Sequence, residues 1–192
     1  ISCAFKHFGV MMDCSRNAVP SVEFLKSYIL SLALMGYNEL QLYTEDTYEV
    51  EGEPLFGYMR GRYSIKELRE ISDYAAQFDI EVVPCIQTLA HVNQLLRWNK
   101  YDEVRDIDDI LLVGEEKTYE LIDKMFASLS KAFTSRRVHI GMDEAHNVGR
   151  GKYLDRHGYE DTASIMKKHL ERVIAIAEKY GFKPVSYTHL TL

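Results

Sequence analysis

The chain has 192 residues, 46% hydrophobic and 27% charged, with a formal net charge of −6. That length is ample for one domain with a sizeable core. The acidic balance argues against a nucleic-acid or anionic-membrane partner, since both want clustered Lys and Arg.

No apolar run approaches the roughly 18 residues of a spanning helix. Cys3, Cys14 and Cys85 give neither a disulfide framework nor C-x-x-C zinc spacing. Two of them lie in or beside apolar runs, where free Cys behaves as a small hydrophobe, so a reducing, cytoplasmic compartment is mildly preferred. The sequence opens on Ile1 rather than Met, which leaves a preceding leader open.

In chain order, Phe8–Met12 is short, apolar and rich in β-formers, and reads as a first strand. Pro20 suits the entry to a helix with the stripe Val22, Leu25, Ile29 and Leu32, stopped near Gly36. Leu40–Tyr43 reads as a second strand. Ser64-Ile65-Lys66-Glu67 is a capping box opening a helix with the stripe Leu68, Ile71, Ala75 and Phe78. Ile80–Ile86 is the third strand, followed by a helix on Ile122, Phe126, Leu129 and Phe133. Val138–Met142 is the fourth. A last helix on Met166, Leu170, Val173, Ile174 and Ala177 ends near Gly181, and a fifth strand begins over Lys183–Tyr187. The strand runs are near-continuously apolar, as expected of strands buried on both faces of a parallel sheet.

Repeated βα units leave a doubly wound open sheet or a (β/α)₈ barrel. The turn after the first strand is Asp13-Cys14-Ser15-Arg16-Asn17, without G-x-G-x-x-G, which favours the barrel. A barrel takes about 250 residues. The expected fold is therefore α/β of the (β/α)₈ TIM-barrel type, carried to about the first four βα units plus the start of a fifth strand. Residues 1–185 are expected to form this partial barrel domain, and 186–192 read as a tail of other origin.

Barrel sites lie at the C-terminal strand ends. Here the first end runs into Asp13, Ser15 and Arg16, and the second into Glu45 and Asp46. The third leads to Gln87 with His91 beyond, and the fourth to Asp143 and Glu144, then His146 and Asn147. Any one of these could mark only where a strand meets water; four together suggest a polar funnel. Asp143-Glu144 differs from Asp102-Glu103 and Glu115-Glu116 in following a strand whose Gly141 permits close approach. Neighbouring carboxyls repel, which suits chemistry needing one of them protonated. The plainer alternatives are a helix cap for Asp143 and a helix-face histidine for His91. His139 and His146 lack metal-ligand spacing. Tyr43, Tyr48, Phe56, Tyr58, Tyr63 and Trp98 suit either stacking on sugar rings or packing of long loops.

Four motifs occur in order: Gly9-Val10-Met11-Met12-Asp13-Cys14-Ser15-Arg16, Leu42-Tyr43-Thr44-Glu45-Asp46, Val83-Pro84-Cys85-Ile86-Gln87-Thr88-Leu89-Ala90-His91 and His139-Ile140-Gly141-Met142-Asp143-Glu144. Over most of Phe8 to Gly181 the chain resembles the catalytic barrel of glycoside hydrolase family 20, the β-N-acetylhexosaminidases. The resemblance implies release of terminal N-acetylhexosamine from a glycan or glycoconjugate, without a cofactor. It also implies a retaining, substrate-assisted route in which the 2-acetamido oxygen attacks the anomeric carbon. Glu144 would be the general acid, later activating water, and Asp143 would orient the acetamido group. Asp46 and His91 match positions lining or buttressing the sugar pocket. Asp13 and Arg16, from the first-strand motif, join them as candidate substrate contacts.

Members commonly carry Arg where this chain has Phe8, and complete the pocket from strands five to eight, one residue there being a Tyr at the acetamide. The tail Ser186–Leu192 lacks the Trp and Asp expected at a fifth strand. Two other readings stand beside this one. A barrel glycosidase could use a carboxylate nucleophile. Alternatively, a half-barrel with open sheet edges could be inactive, self-associating or only sugar-binding.

Overall fold

The computed structural model describes residues 5–16 and 18–186. Cys3, Asn17, Tyr187 and the tail from 187 onward lie outside the described residues. The principal elements are β1 (Gly9–Asp13), α1 (Val22–Leu34), β2 (Glu39–Glu45), α2 (Ile65–Ala76) and β3 (Glu81–Ile86). A short α3 (Asn93–Leu96), a 3-10 turn over Asn99–Val104 and a hairpin of β4 (Arg105–Ile107) and β5 (Ile110–Leu111) follow. Then come α4 (Glu116–Ala132), β6 (Arg137–His139), α5 (Lys152–His157), α6 (Thr162–Lys179) and β7 (Lys183–Val185).

Five strands form one parallel sheet in the order β1-β2-β3-β6-β7. That order decides the architecture. A doubly wound sheet reverses its strand order at a switch point, whereas here each strand lies beside its predecessor in the βα series. The helices pack in the same succession, α1 on α2, α2 on α4 and α4 on α6, so they share one face. This is the wall of a barrel, built of four βα units and a fifth strand. Among the described residues no helix is long and apolar enough to cross a membrane.

Local sequence accounts for the element ends. Ser64 and Glu67 close a reciprocal capping box, and Ser21 and Asp161 cap α1 and α6 with their side chains. Gly36 (φ 82°) and Gly181 (φ 75°) end helices in the left-handed region, where a glycine carries no Cβ penalty.

Two expectations are corrected. The strands are not apolar on both faces. In β2 the residues Leu40 and Leu42 face the helices, while Glu39, Gln41, Tyr43 and Glu45 alternate with them. In α6 the fully buried residues are Ile165, His169, Val173 and Ala177, with Met166, Leu170 and Ile174 only partly covered. The stripe turns one position from the predicted one because a histidine occupies a core site. His169 Nε2 meets the Thr88 carbonyl at 2.8 Å and Nδ1 meets the Tyr119 hydroxyl at 3.2 Å. Burial pushes its pKa down to about 4, so the ring is neutral and serves as a strut between α6 and the end of β3.

The N-terminal end of the sheet carries an ionic layer. Arg137 reaches Glu39 at 2.6 Å and also pairs with Glu81, whose other oxygen accepts from Ser135 at 2.6 Å. Phe8 sits at this end of β1, stacked on Tyr37 with ring centroids 4.2 Å apart, a full strand length from Asp13.

Candidate active site

The long connections, residues 46–64, 87–115 and 140–161, all leave the C-terminal strand ends. Pairing places Asp13, Tyr43, Cys85 and His139 in one row across the sheet, so their side chains share a face. Functional groups then follow strand by strand.

At the end of β1, Asp13 accepts from the Ser15 backbone N–H at 2.8 Å, the Ser15 hydroxyl at 2.6 Å and Arg16 at 3.0 Å. Burial alone would raise its pKa, but these donors and the Arg16 charge outweigh that and lower it. Arg16 also lies 3.4 Å from Glu45 Oε1 and 5.7 Å over the Tyr43 ring. Glu45 is only 8% exposed. Burial raises its pKa against the opposing Tyr43 hydrogen bond and Arg16 charge.

From there the contacts run across the sheet. Tyr43 donates to Glu45 Oε1 at 2.9 Å, and burial pushes its phenol far up, so it keeps its proton. Gln87, fully buried, donates from Nε2 to the Tyr43 oxygen at 3.0 Å and to Asp143 Oδ1 at 2.7 Å. Its Oε1 accepts the Met142 N–H at 3.0 Å. His91 Nε2 stands 3.6 Å from Asp143 Oδ2 and 3.4 Å from Glu144 Oε2. Met11, Asp13, Arg16, Tyr43, His91, Asp143 and Glu144 line a cleft of about 330 Å³. A second, more polar cleft shares Arg16 and His91 with it and reaches Glu45, Arg60, Asn93 and Asp109.

The backbone is strained here. Six non-glycine residues among those described have φ in the left-handed region; His91 (56°), Glu144 (55°) and Glu45 (48°) line these two clefts, and Met142 (74°) lies directly before Asp143. Each costs about 1–2 kcal/mol, a cost that concentrates where function demands the geometry. Gly141 (φ 71°) adds a close approach. A Cβ there would overlap Gln87 Oε1 and lie 2.7 Å from the Ile86 carbonyl oxygen. The close approach expected at this glycine is that of the β3 end.

Asp13, Arg16, His91, Asp143 and Glu144 thus meet in one cleft. Asp46 does not line it: 3% exposed, it stands behind the wall and accepts from Arg60 at 3.3 Å, while Arg60 also donates to the Ser15 carbonyl. Burial raises the Asp46 pKa, against the Arg60 charge. No helix begins at Asp143, and His91 lies ahead of α3 rather than on a helix face, so neither plainer alternative applies. Partial burial holds for Asp143, whose side chain is 21% exposed, and not for Glu144, at 68%. His146 and Asn147 are exposed and line neither cleft. Tyr48, Phe56 and Tyr63 are buried and pack the loop after β2, and Tyr58 meets Trp98 edge-on. Among the aromatics named above, only Tyr43 borders the cleft. Sequence reasoning named Gln87 and Glu45 as strand-end residues but gave them no role. Their signal was one polar residue directly beyond each apolar run. Among the described residues no group of His, Cys, Asp and Glu could hold a metal ion.

Comparison with known proteins bears on this geometry. Residues 5–188 match the family model for glycosyl hydrolase family 20, catalytic domain. Hexosaminidase D of Homo sapiens is 26% identical over 179 residues, which cover 91% of this chain and 37% of that protein. The β-hexosaminidase of Vibrio furnissii is 27% identical over 177 residues, covering 73% of this chain and 29% of that one. Among solved structures, the family 20 β-N-acetylhexosaminidase of Streptomyces coelicolor A3(2) superimposes with a TM-score of 0.80 at 26% identity, over 96% of this chain and 40% of that chain. The chain therefore spans well under half the length of these relatives.

Proposed function

The chain belongs to glycosyl hydrolase family 20, and from that premise we propose that the protein carrying it is an exo-acting β-N-acetylhexosaminidase in which Asp143 and Glu144 carry the chemistry. The observation that bears most weight is their setting. Two consecutive carboxyls occupy one cleft at a strand mouth, Asp143 anchored by Gln87 and partly buried, Glu144 exposed, with His91 between them.

That asymmetry suits two different tasks. Asp143 has one oxygen held as an acceptor and the other facing the cleft, as needed to orient an acetamido N–H and to balance charge developing on its nitrogen. Glu144 projects into solvent where a leaving oxygen would depart, as needed by a group that donates a proton and then withdraws one from water. The attacking atom would be the substrate's own acetamide oxygen, giving retention without an enzyme nucleophile. A terminal N-acetylhexosamine on a glycan or glycoconjugate is the substrate class this predicts.

In the complete protein, Glu144→Gln is expected to lower kcat roughly 10²- to 10⁴-fold on a glycoside with a poor leaving group. It should cost far less on a nitrophenyl glycoside, whose leaving group needs little protonation. Equal losses on both, or none, would reject the assignment. A thiazoline analogue should inhibit; accumulation of a covalent glycosyl-enzyme would favour a carboxylate nucleophile instead.

A further inference from the structure

We propose that Gln87 is a positioning residue that fixes Asp143 in its working orientation and keeps its Oδ1 an obligatory acceptor. The assignment rests on the hydrolase reading above. Its basis is the way the Gln87 amide is used up. Oε1 accepts the Met142 N–H, so that end of the amide must be the oxygen. Turning the amide over would set two donors against each other at Met142 and two acceptors against each other at Asp143. Nε2 is therefore the donor end, and its two protons go to the Tyr43 oxygen and to Asp143 Oδ1. Tyr43, having accepted, sends its own proton on to Glu45 Oε1, beside Arg16. The network admits one arrangement of donors and acceptors, diverging from Gln87 and converging on Glu45, and it crosses the ends of four of the five strands from Arg16 to Asp143.

Several consequences follow for Asp143. Oδ1 is already engaged by a buried donor, so a proton on this carboxyl has only Oδ2 to occupy, the oxygen facing His91 and the cleft. An uncharged donor can do this at every pH at which the fold survives, which a carboxyl in the same place could not. The titratable groups facing this point are Tyr43 from β2, His91 from the β3 loop, His139 from β6, and Asp143 itself. The space for the Gln87 side chain exists because residue 141 has no Cβ, so the amide and the glycine form one device. Gln87 does not itself line the cleft; it stands behind Tyr43 and Asp143, which do. It acts through Asp143.

The test compares Gln87→Met and Gln87→Glu with wild type in the complete protein, on a chromogenic N-acetylhexosaminide across pH. Removing the donor to a charged group should lower kcat roughly 10- to 100-fold, with KM changed much less. Gln87→Glu keeps the shape, and while protonated it can still donate. Its kcat should lie near wild type at acid pH and then fall further than wild type as pH rises and the new carboxylate repels Asp143, on top of the loss that a deprotonating general acid imposes on both enzymes. Should Gln87→Met not fold, the pH profile of Gln87→Glu decides. Folded variants with wild-type kcat and an unaltered profile would overturn the role of Gln87 and leave the hydrolase reading standing. A wild-type protein without turnover would overturn both.

Discussion

Gly141→Ala is the sharpest test of how the site is built, because its cost divides into two separately measurable parts. The first is backbone. Residue 141 has φ 71°, a region that costs an L-residue with a Cβ about 1–2 kcal/mol. The second is contact. The new methyl would overlap Gln87 Oε1 and lie 2.7 Å from the Ile86 carbonyl oxygen. The side chain can retreat, but only by surrendering its bond to the Met142 N–H and its charge-assisted bond to Asp143, together about 2–4 kcal/mol. The total expected is about 4 kcal/mol. Gly36→Ala supplies the control, since residue 36 has φ 82° with nothing within 4 Å of its would-be Cβ, and should cost the backbone part alone. Guanidinium unfolding of both variants, compared by midpoint at unchanged m, reads the difference. Equal midpoints for the two variants would refute the claim that position 141 is glycine because Gln87 needs the room.

His169 gives a pH signature. Its pKa is about 4 when folded and near 6.5 when unfolded, so the unfolded chain binds the extra proton between these values. Its contribution is complete above about pH 6.5 and declines as pH falls toward 4, by about 3 kcal/mol. Denaturant titrations should therefore show a steeper acid loss in wild type than in His169→Gln; parallel curves would contradict it. At the other end of the sheet, Arg137→Met should cost about 2–3 kcal/mol, below the usual range for a broken buried pair. Gln41 and His7 still face Glu39 there. Adding Glu39→Gln should recover part of that loss in a double-variant cycle, and strictly additive effects would argue against the pairing.

Much of this was legible in the chain, and the misses have physical causes. The capping box at Ser64 and the glycine stops at 36 and 181 were readable because each is a local contract between neighbouring residues. The βα order was readable because positions between sheet and helices, Leu40 and Leu42 on β2 and Ile71 on α2, are apolar at regular spacing. Strand limits were cut short at polar residues that belong to the sheet, Glu39 and Glu45 in β2 among them, because the face opposite the helices is polar. The α6 stripe slipped by one position at His169, which no hydropathy pattern counts as core. α3, α5 and the β4–β5 hairpin are too short to show any period. Around the cleft, the place of Asp143, Glu144 and His91 after strands is what marks them in the sequence. Gln87 and Glu45 received no role, because an amide or acid directly beyond an apolar run looks like solvent contact until the neighbouring strands are drawn alongside.

The left-handed backbone at Glu45, His91, Met142 and Glu144 has a consequence for how this domain can be improved. Replacing Glu144, which is exposed, or His91, which is half-buried, by glycine would relax the local conformation at little cost in packing, so thermal selection alone, applied without an activity screen, would drift toward a sturdier protein with an emptied cleft. Resilience and turnover draw on these two positions in opposite directions. Gains in heat tolerance are better sought on the outer faces of the helices, where no such conflict exists.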